Sequence, residues 1–231
     1  PREAKRESEV ERKLTLPEQY HACDQRTPVL IRSYLERRHV SLELAAARRI
    51  GYALTGRYAY RVLLPVESDG HLYTFIARTV LTQCPSCQER IDDCACRPRK
   101  FPKVLTPRSK DGAQPRLTLY NLDAVRQASS RIVVVEGVFD ALRLPYQAVA
   151  LMGSSASETQ VLLLCGLARS GREVVLALDG DEAGYKGMLK IGDALSSESV
   201  PVRVALLPEG KDPGSLPAEA LDKLIGHAAR Y

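Results

Sequence analysis

Hydrophobic and polar positions fall into two textures along the chain. From Arg131 onward, short runs rich in Val and Leu alternate with longer amphipathic stretches: "RIVVVEG", "VFDALRL", "AVALMG", "SETQVLLLCGLARS", "REVVLALDG", "EAGYKGMLKIGDALS", "VPVRVALLP" and "PAEALDKLIGHAAR". Strand-length apolar runs separated by helices of one to four turns predict an α/β unit, a mostly parallel sheet with helices on both faces, over residues 131–231. Upstream the pattern is mixed. In "TPVLIRSYLERR", Thr27 can cap a helix, Pro28 suits its first position, and Val29, Leu30, Tyr34 and Leu35 recur at helical spacing. Ser41 can start a second helix, "LELAAARRI", which Gly51 would close. "YRVLLPV" and "HLYTFIART" flank the turn-forming "ESDG" and predict an antiparallel hairpin, followed by a loop-rich stretch from Leu81 to about Thr118. Residues 1–26 read as a charged lead-in with no core to bury, and residues 27–130 as a smaller α+β subdomain.

Composition narrows the class. The chain has 231 residues, 26% charged and 45% hydrophobic, as a soluble globular protein of one or two domains would. Its apolar runs are far shorter than the roughly 20 residues of a membrane span, and "PREAKRESEV" has no apolar signal core, so no membrane partner and a reducing, cytoplasmic setting are expected. The net charge of +5 is unevenly spread: residues 1–130 carry 23 basic and 15 acidic side chains, residues 131–231 carry 10 and 13. A basic front half suits polyanions, although solvated basic faces produce the same bias.

The acids of the back half stand where the predicted strands end. "RIVVVE" ends on Glu136 with Asp140 a turn into the next helix, "EVVLALD" ends on Asp179 with Asp181 two residues on, and "VRVALLP" leads to Glu209 and Asp212. Sites of open parallel sheets form beyond the carboxyl ends of the strands. Crowded carboxylates repel, and hard divalent cations are the usual reason to tolerate them. Mg²⁺ or Mn²⁺ held by two or three carboxylates, with substrate phosphates completing the shell, fits the pattern. The bland alternative is that Asp181 caps a helix and Asp212 makes a turn before Pro213. Neither a GxxxxGK nor a strand-following GxGxxG occurs.

"VVVEGVFDAL", "LDGDEAG" and "LPEGKDP" resemble the three acidic motifs of the TOPRIM fold in bacterial DnaG-type primases. "YLERRHVSLELAAARRIGYAL", "RVLLPVESDGHLYTFIART", "FPKVLTP" and "LYNLDAV" resemble, in order, segments of the same family's RNA-polymerase core, so the likeness spans about residues 27–217. The resemblance implies primer synthesis on a single-stranded DNA template from nucleoside triphosphates. It makes Glu136 the general base or acid, Asp140 the aspartate of the first motif, and Asp179, Asp181 and Asp212 metal-binding aspartates; Glu136, Asp179 and Asp181 are counted as catalytic, and Glu136 and Asp140 join the three aspartates as candidate Mg²⁺ or Mn²⁺ ligands. It places Arg61, Arg78 and Lys103 against template or nucleotide, and Lys100 and Lys186 are added as basic candidates nearby. The sequence departs from the family at Gly214, where a further acid is usual, and at Tyr185, where arginine is usual. A helical subdomain and a separate zinc-binding domain are not recognised in it. The expectation is a compact or truncated form, of the phage or mobile-element kind, acting alone or beside such a domain or a replicative helicase. A TOPRIM module that binds nucleic acid without polymerising, or a TOPRIM nuclease, are the rival functions.

"CPSCQERIDDCAC", within an insert at 84–97, offers Cys84, Cys87, Cys94 and Cys96 as a closed, structural Cys₄ zinc site, with reduced loop cysteines as the rival. The family resemblance does not imply this insert.

Overall fold

The computed structural model describes residues 13–91, 93–96, 101–128, 131–169 and 171–231. Two five-stranded sheets organise the chain. The first is antiparallel throughout, in the order β1 (His21–Ala22), β2 (Gly51–Ala53), β3 (Arg61–Ser68), β4 (His71–Thr79) and β5 (Val104–Leu105). Its hairpin closes as the sequence predicts: Ser68 pairs with His71, and Asp69 and Gly70 both take positive φ (52° and 75°), the two-residue turn whose twist matches paired strands. Alternation sorts β3 between two cores, with Val62, Leu64 and Val66 on one face and Leu63 on the other.

In the second sheet β6 (Arg131–Val135), β7 (Ala148–Ala150), β8 (Glu173–Leu176) and β9 (Val202–Val204) run parallel, and β10 (Ala229–Arg230) joins antiparallel in the order β10-β9-β8-β6-β7. One face packs on α3 (Leu122–Ala128), α5 (Glu158–Ala168) and α6 (Glu182–Ser197) through Leu122, Leu164, Ile191 and their neighbours. The other shares a core with α1 (Val29–Arg37), α2 (Leu42–Ala47), α4 (Val138–Arg143), α7 (Ala218–Gly226) and the inner face of the antiparallel sheet. Cys23 and Cys165 are ordinary buried side chains in these cores. Among the described residues no helix is long and apolar enough to cross a membrane.

Several local expectations are corrected. The Thr27 hydroxyl accepts the Asp24 N–H (2.8 Å) instead of capping α1, whose N-cap position falls on Pro28. Ser41 does cap α2, accepting from the Leu44 N–H at 3.1 Å. That helix is closed by Arg49 at φ 51°, while Gly51 lies in β2, where a Cβ would strike the Tyr20 ring and the His21 carbonyl. Residues 1–12 of the expected lead-in lie outside the described residues, but from Leu14 (8% exposed) it packs into the outer core of the antiparallel sheet and then supplies β1. The end of "HAAR" is strand β10, not helix. The helix α3, just before Arg131, packs on the parallel sheet.

Asn121 pins this joint. It is buried at φ 66°, and its amide nitrogen donates to the carbonyls of Pro145 (2.9 Å) and Ala148 (2.8 Å) beside β7. Asn121→Ala removes both bonds and leaves a strained left-handed residue, so we expect it to lower the unfolding free energy by about 2–4 kcal/mol in urea titrations. A loss below about 0.5 kcal/mol would contradict that role.

Candidate active site

The order of the parallel strands sets up the site. β7 lies on one side of β6 and β8 on the other, so the direction of winding reverses between β6 and β8, the place where open α/β sheets leave a crevice. Glu136 follows β6 and Asp179 follows β8, so both carboxylates stand at that crevice. The Asp179 N–H donates to Glu136 Oε1 at 3.2 Å, tying the two strand ends together. Gly184 permits this approach, since a Cβ there would sit 2.9 Å from Glu136 Oε1.

Asp140, in the first turn of α4, has both oxygens occupied by backbone donors: Oδ2 by the Gly137 N–H (3.1 Å) and Oδ1 by the Gly214 N–H (2.9 Å). It binds α4 to the loop after β9. Glycine at 214 serves this contact, because a Cβ would lie 2.6 Å from Asp140 Oδ1 and 3.3 Å from Asp212 Oδ1. Asp212 caps the following 3₁₀ turn, accepting from Ser215 N–H at 2.6 Å. Glu136, Asp140, Asp179 and Asp212 line one cleft of about 320 Å³ together with Arg38, Arg78 and Phe139.

Asp181 caps α6 through the Gly184 N–H (2.8 Å) and faces a second hollow of about 390 Å³, with Glu182, Tyr185 and Glu209. Asp179 borders both hollows. The cap reading and the functional reading therefore coexist for Asp181 and Asp212, since each cap bond occupies one carboxylate oxygen.

Crowding shows in the acidities. Burial, reinforced by the charges of Glu136, Asp140, Asp212 and Asp181, pushes Asp179 up to about 7. Burial and then Asp212 raise Asp140 to about 6 against the pull of its two N–H donors and Arg78. Burial also raises Glu136, opposed by the Asp179 N–H. Asp179 Oδ1 is buried and has no hydrogen-bond partner among the described residues. An acid with an unsatisfied inward oxygen, flanked by further carboxylates, fits a hard divalent cation. The carboxylates are spread along the sheet edge. Among the described residues it is the four cysteines whose ligand atoms all lie within 4.8 Å of one another.

The basic candidates divide. Arg78 reaches the cleft, its guanidinium 5.9 Å from the Phe139 ring centre. Arg38, which the sequence reading did not single out, lies 5.5 Å from the same ring, so two arginines gather at Phe139 in the acidic cleft. Its only sequence signal is the "RR" ending α1, and what α1 faces is settled by tertiary packing. Arg38 and Arg78 also border a groove of about 600 Å³ that includes Arg37, Arg90 and Lys103. Arg61 is a correction: it is 1% exposed, and its guanidinium donates to the carbonyls of Ala77 (3.3 Å), Lys103 (3.2 Å) and Pro102 (2.5 Å). Burial inside the sheet commits it to structure and not to a polyanion. Lys186 pairs with Glu182 on the exposed face of α6 and lines neither hollow. Lys100 lies outside the described residues.

Residues 133–216 match the family model described as Toprim-like. The chain is 32% identical over 211 residues to the DNA primase of Myxococcus xanthus, covering 79% of this chain and 34% of that protein. It is 27% identical to the DNA primase of Staphylococcus epidermidis, covering 85% and 31%. A solved DnaG primase catalytic domain bound to ssDNA superposes with a TM-score of 0.68 at 23% identity, over 90% of this chain and 77% of that one. Residues 133–216 are thus TOPRIM-like, and the chain is similar in sequence and fold to the core of DnaG-type primases. The chain spans about a third of the length of the curated primases it matches. Its TOPRIM-like part contains the crevice between β6 and β8, with Glu136 and Asp179, and the residues before it add the antiparallel sheet and Arg78.

A carboxyl whose pKa rises on folding keeps its proton more tightly folded than unfolded. The fold therefore loses stability as pH climbs from the ordinary carboxylate range, about 4, towards the value of about 7 held by Asp179. In EDTA, Asp179→Asn should melt above the wild type at about pH 7.5, with the difference shrinking towards about pH 4.5. Equal melting curves at both pH values would show that Asp179 is not forced into a repulsive setting.

Proposed function

We propose that this core synthesises short RNA primers on single-stranded DNA by metal-dependent phosphoryl transfer. One observation carries the reading: an acidic cleft lined by Asp179, whose Oδ1 is buried without a hydrogen-bond partner among the described residues, shares Arg38 and Arg78 with a groove that also includes Arg37, Arg90 and Lys103. The acids suit cations and the groove suits phosphates, so the two meet where a nucleic acid end and a triphosphate must meet. The likeness to primases of two bacteria and to a core solved with ssDNA supports the same reading.

Glu136 and Asp179 would hold Mg²⁺ or Mn²⁺, with Asp212 in the same cleft and Asp181 in the adjoining hollow as further ligands. The cation, when bound, neutralises triphosphate charge and makes the attacking 3′-hydroxyl easier to deprotonate. Glu136 accepts the Asp179 N–H on Oε1, and burial raises the carboxyl's affinity for a proton, as a general base requires. Asp140 positions the loop carrying Asp212 through Gly214. Arg38 and Arg78, braced on Phe139, hold phosphate oxygens. Groove contacts to phosphate are salt-sensitive and independent of base sequence. A structural Zn²⁺ on Cys84, Cys87, Cys94 and Cys96 completes the metal complement.

The test is incubation with single-stranded DNA, Mn²⁺ or Mg²⁺ and labelled ribonucleotides. Short RNA products are expected, abolished in Asp179→Ala and slowed by roughly 10²–10⁴-fold in Glu136→Gln. Strand cleavage would assign the site to a nuclease, and DNA binding without turnover to a non-polymerising module.

A further inference from the structure

The chain leaves β4 at Thr79, runs through the cysteine-rich loop and returns as β5. The four Sγ atoms of Cys84, Cys87, Cys94 and Cys96 lie within 4.8 Å of one another, with Cys87 and Cys94 3.2 Å apart. Tetrahedral zinc on four thiolates needs sulfurs about 3.8 Å apart, between these limits. The first pair sits on a tight turn: Cys84 N–H donates to Glu89 O (2.7 Å), Gln88 N–H to Cys84 O (2.9 Å), and Gln83 bridges Arg90. In the second pair the Cys96 N–H donates to Cys94 Sγ at 3.3 Å, the arrangement by which backbone donors steady a thiolate. Among the described residues the loop's own core is Cys84, Ile91 and Cys94, with Leu81, Cys96 and Phe101 against it, far too little apolar surface to hold a fold without a staple.

Phe101 links this small core to the sheet. It packs in that core and also lies 4.8 Å from the Arg61 guanidinium, which clamps the carbonyls of Pro102 and Lys103 from inside the antiparallel sheet. Cysteine cluster, Phe101, Arg61 and β5 therefore form a continuous stack. The loop lines the basic groove through Leu81, Thr82, Gln83, Arg90 and Ile91, together with Arg37, Arg38, Arg78 and Lys103. Arg90 is exposed and makes a long surface contact to Asp93 (3.6 Å).

We propose that the zinc-closed loop is a wall of the single-strand track, with Arg90 contacting the DNA backbone on its way to the acidic cleft, so that zinc occupancy sets affinity for single-stranded DNA. The occupant of the groove rests on the primer-synthesis reading; the zinc content does not.

The experiment combines metal analysis of the purified chain with fluorescence anisotropy of labelled oligothymidine over a range of salt, with circular dichroism monitoring the fold. The expected result is one zinc per chain, lost in Cys84→Ser. Stripping zinc and Arg90→Ala should each weaken oligothymidine binding several-fold. Arg90→Ala should flatten the slope of log affinity against log salt by about 0.7, and should have little further effect once zinc is gone. A folded, zinc-free preparation with unimpaired DNA binding overturns the proposal, as does binding indifferent to both zinc and Arg90. Failure of the zinc-loaded chain to bind any single strand removes the primer-synthesis reading and the track together. Binding that depends on zinc and Arg90 without primer synthesis upholds the track alone.

Discussion

Repulsion among carboxylates at the β6/β8 crevice is the constraint around which the rest of the molecule is arranged. Bringing Glu136, Asp140, Asp179 and Asp212 to one cleft of about 320 Å³ costs electrostatic energy that the fold must hold against. It does so with backbone. The Asp179 N–H restrains Glu136, the Gly137 and Gly214 N–H groups restrain Asp140, and the Ser215 N–H restrains Asp212. Glycines at 184 and 214 exist where a Cβ would press against these oxygens. Asp179 Oδ1 is buried without such a donor, and burial with the neighbouring carboxylates pushes the Asp179 pKa up to about 7.

Sidedness follows from the same arrangement. The parallel sheet presents acids at its carboxyl edge, while α1 and the antiparallel hairpin, sharing a core with it, bring Arg38 and Arg78 over Phe139 to the rim of that edge. The excess of basic residues in the front half is thus not a uniform coat. Part of it lines a groove leading to the acids, and part, as in Arg61, is internal scaffolding.

Much of this was legible in the sequence because it is local. Strand-end acids follow from apolar runs that stop at Glu136 and near Asp179, the Asp69-Gly70 turn from its residue types, and the cysteine cluster from spacing alone. The features that escaped depend on contacts far apart in the chain. Arg61 reads as a template or nucleotide contact until the carbonyls of residues 102 and 103 fold over it. Arg38 gains its meaning from Phe139, 101 positions later, and Asp181 turns to a second hollow because its cap bond orients it there. Gly51 looked like a helix terminator because glycine often is one; its reason is the Tyr20 ring packed against its backbone.

The central claim is that Asp179 and Glu136 form a divalent cation site kept partly protonated until the cation arrives. Calorimetric titration of Mn²⁺ into the EDTA-treated chain at about pH 7, repeated in buffers of different ionisation enthalpy, addresses it directly. The account predicts saturable binding accompanied by release of a fraction of a proton, with both lost in Asp179→Asn. Binding of equal strength in the variant, or no saturable binding in the wild type, would contradict it.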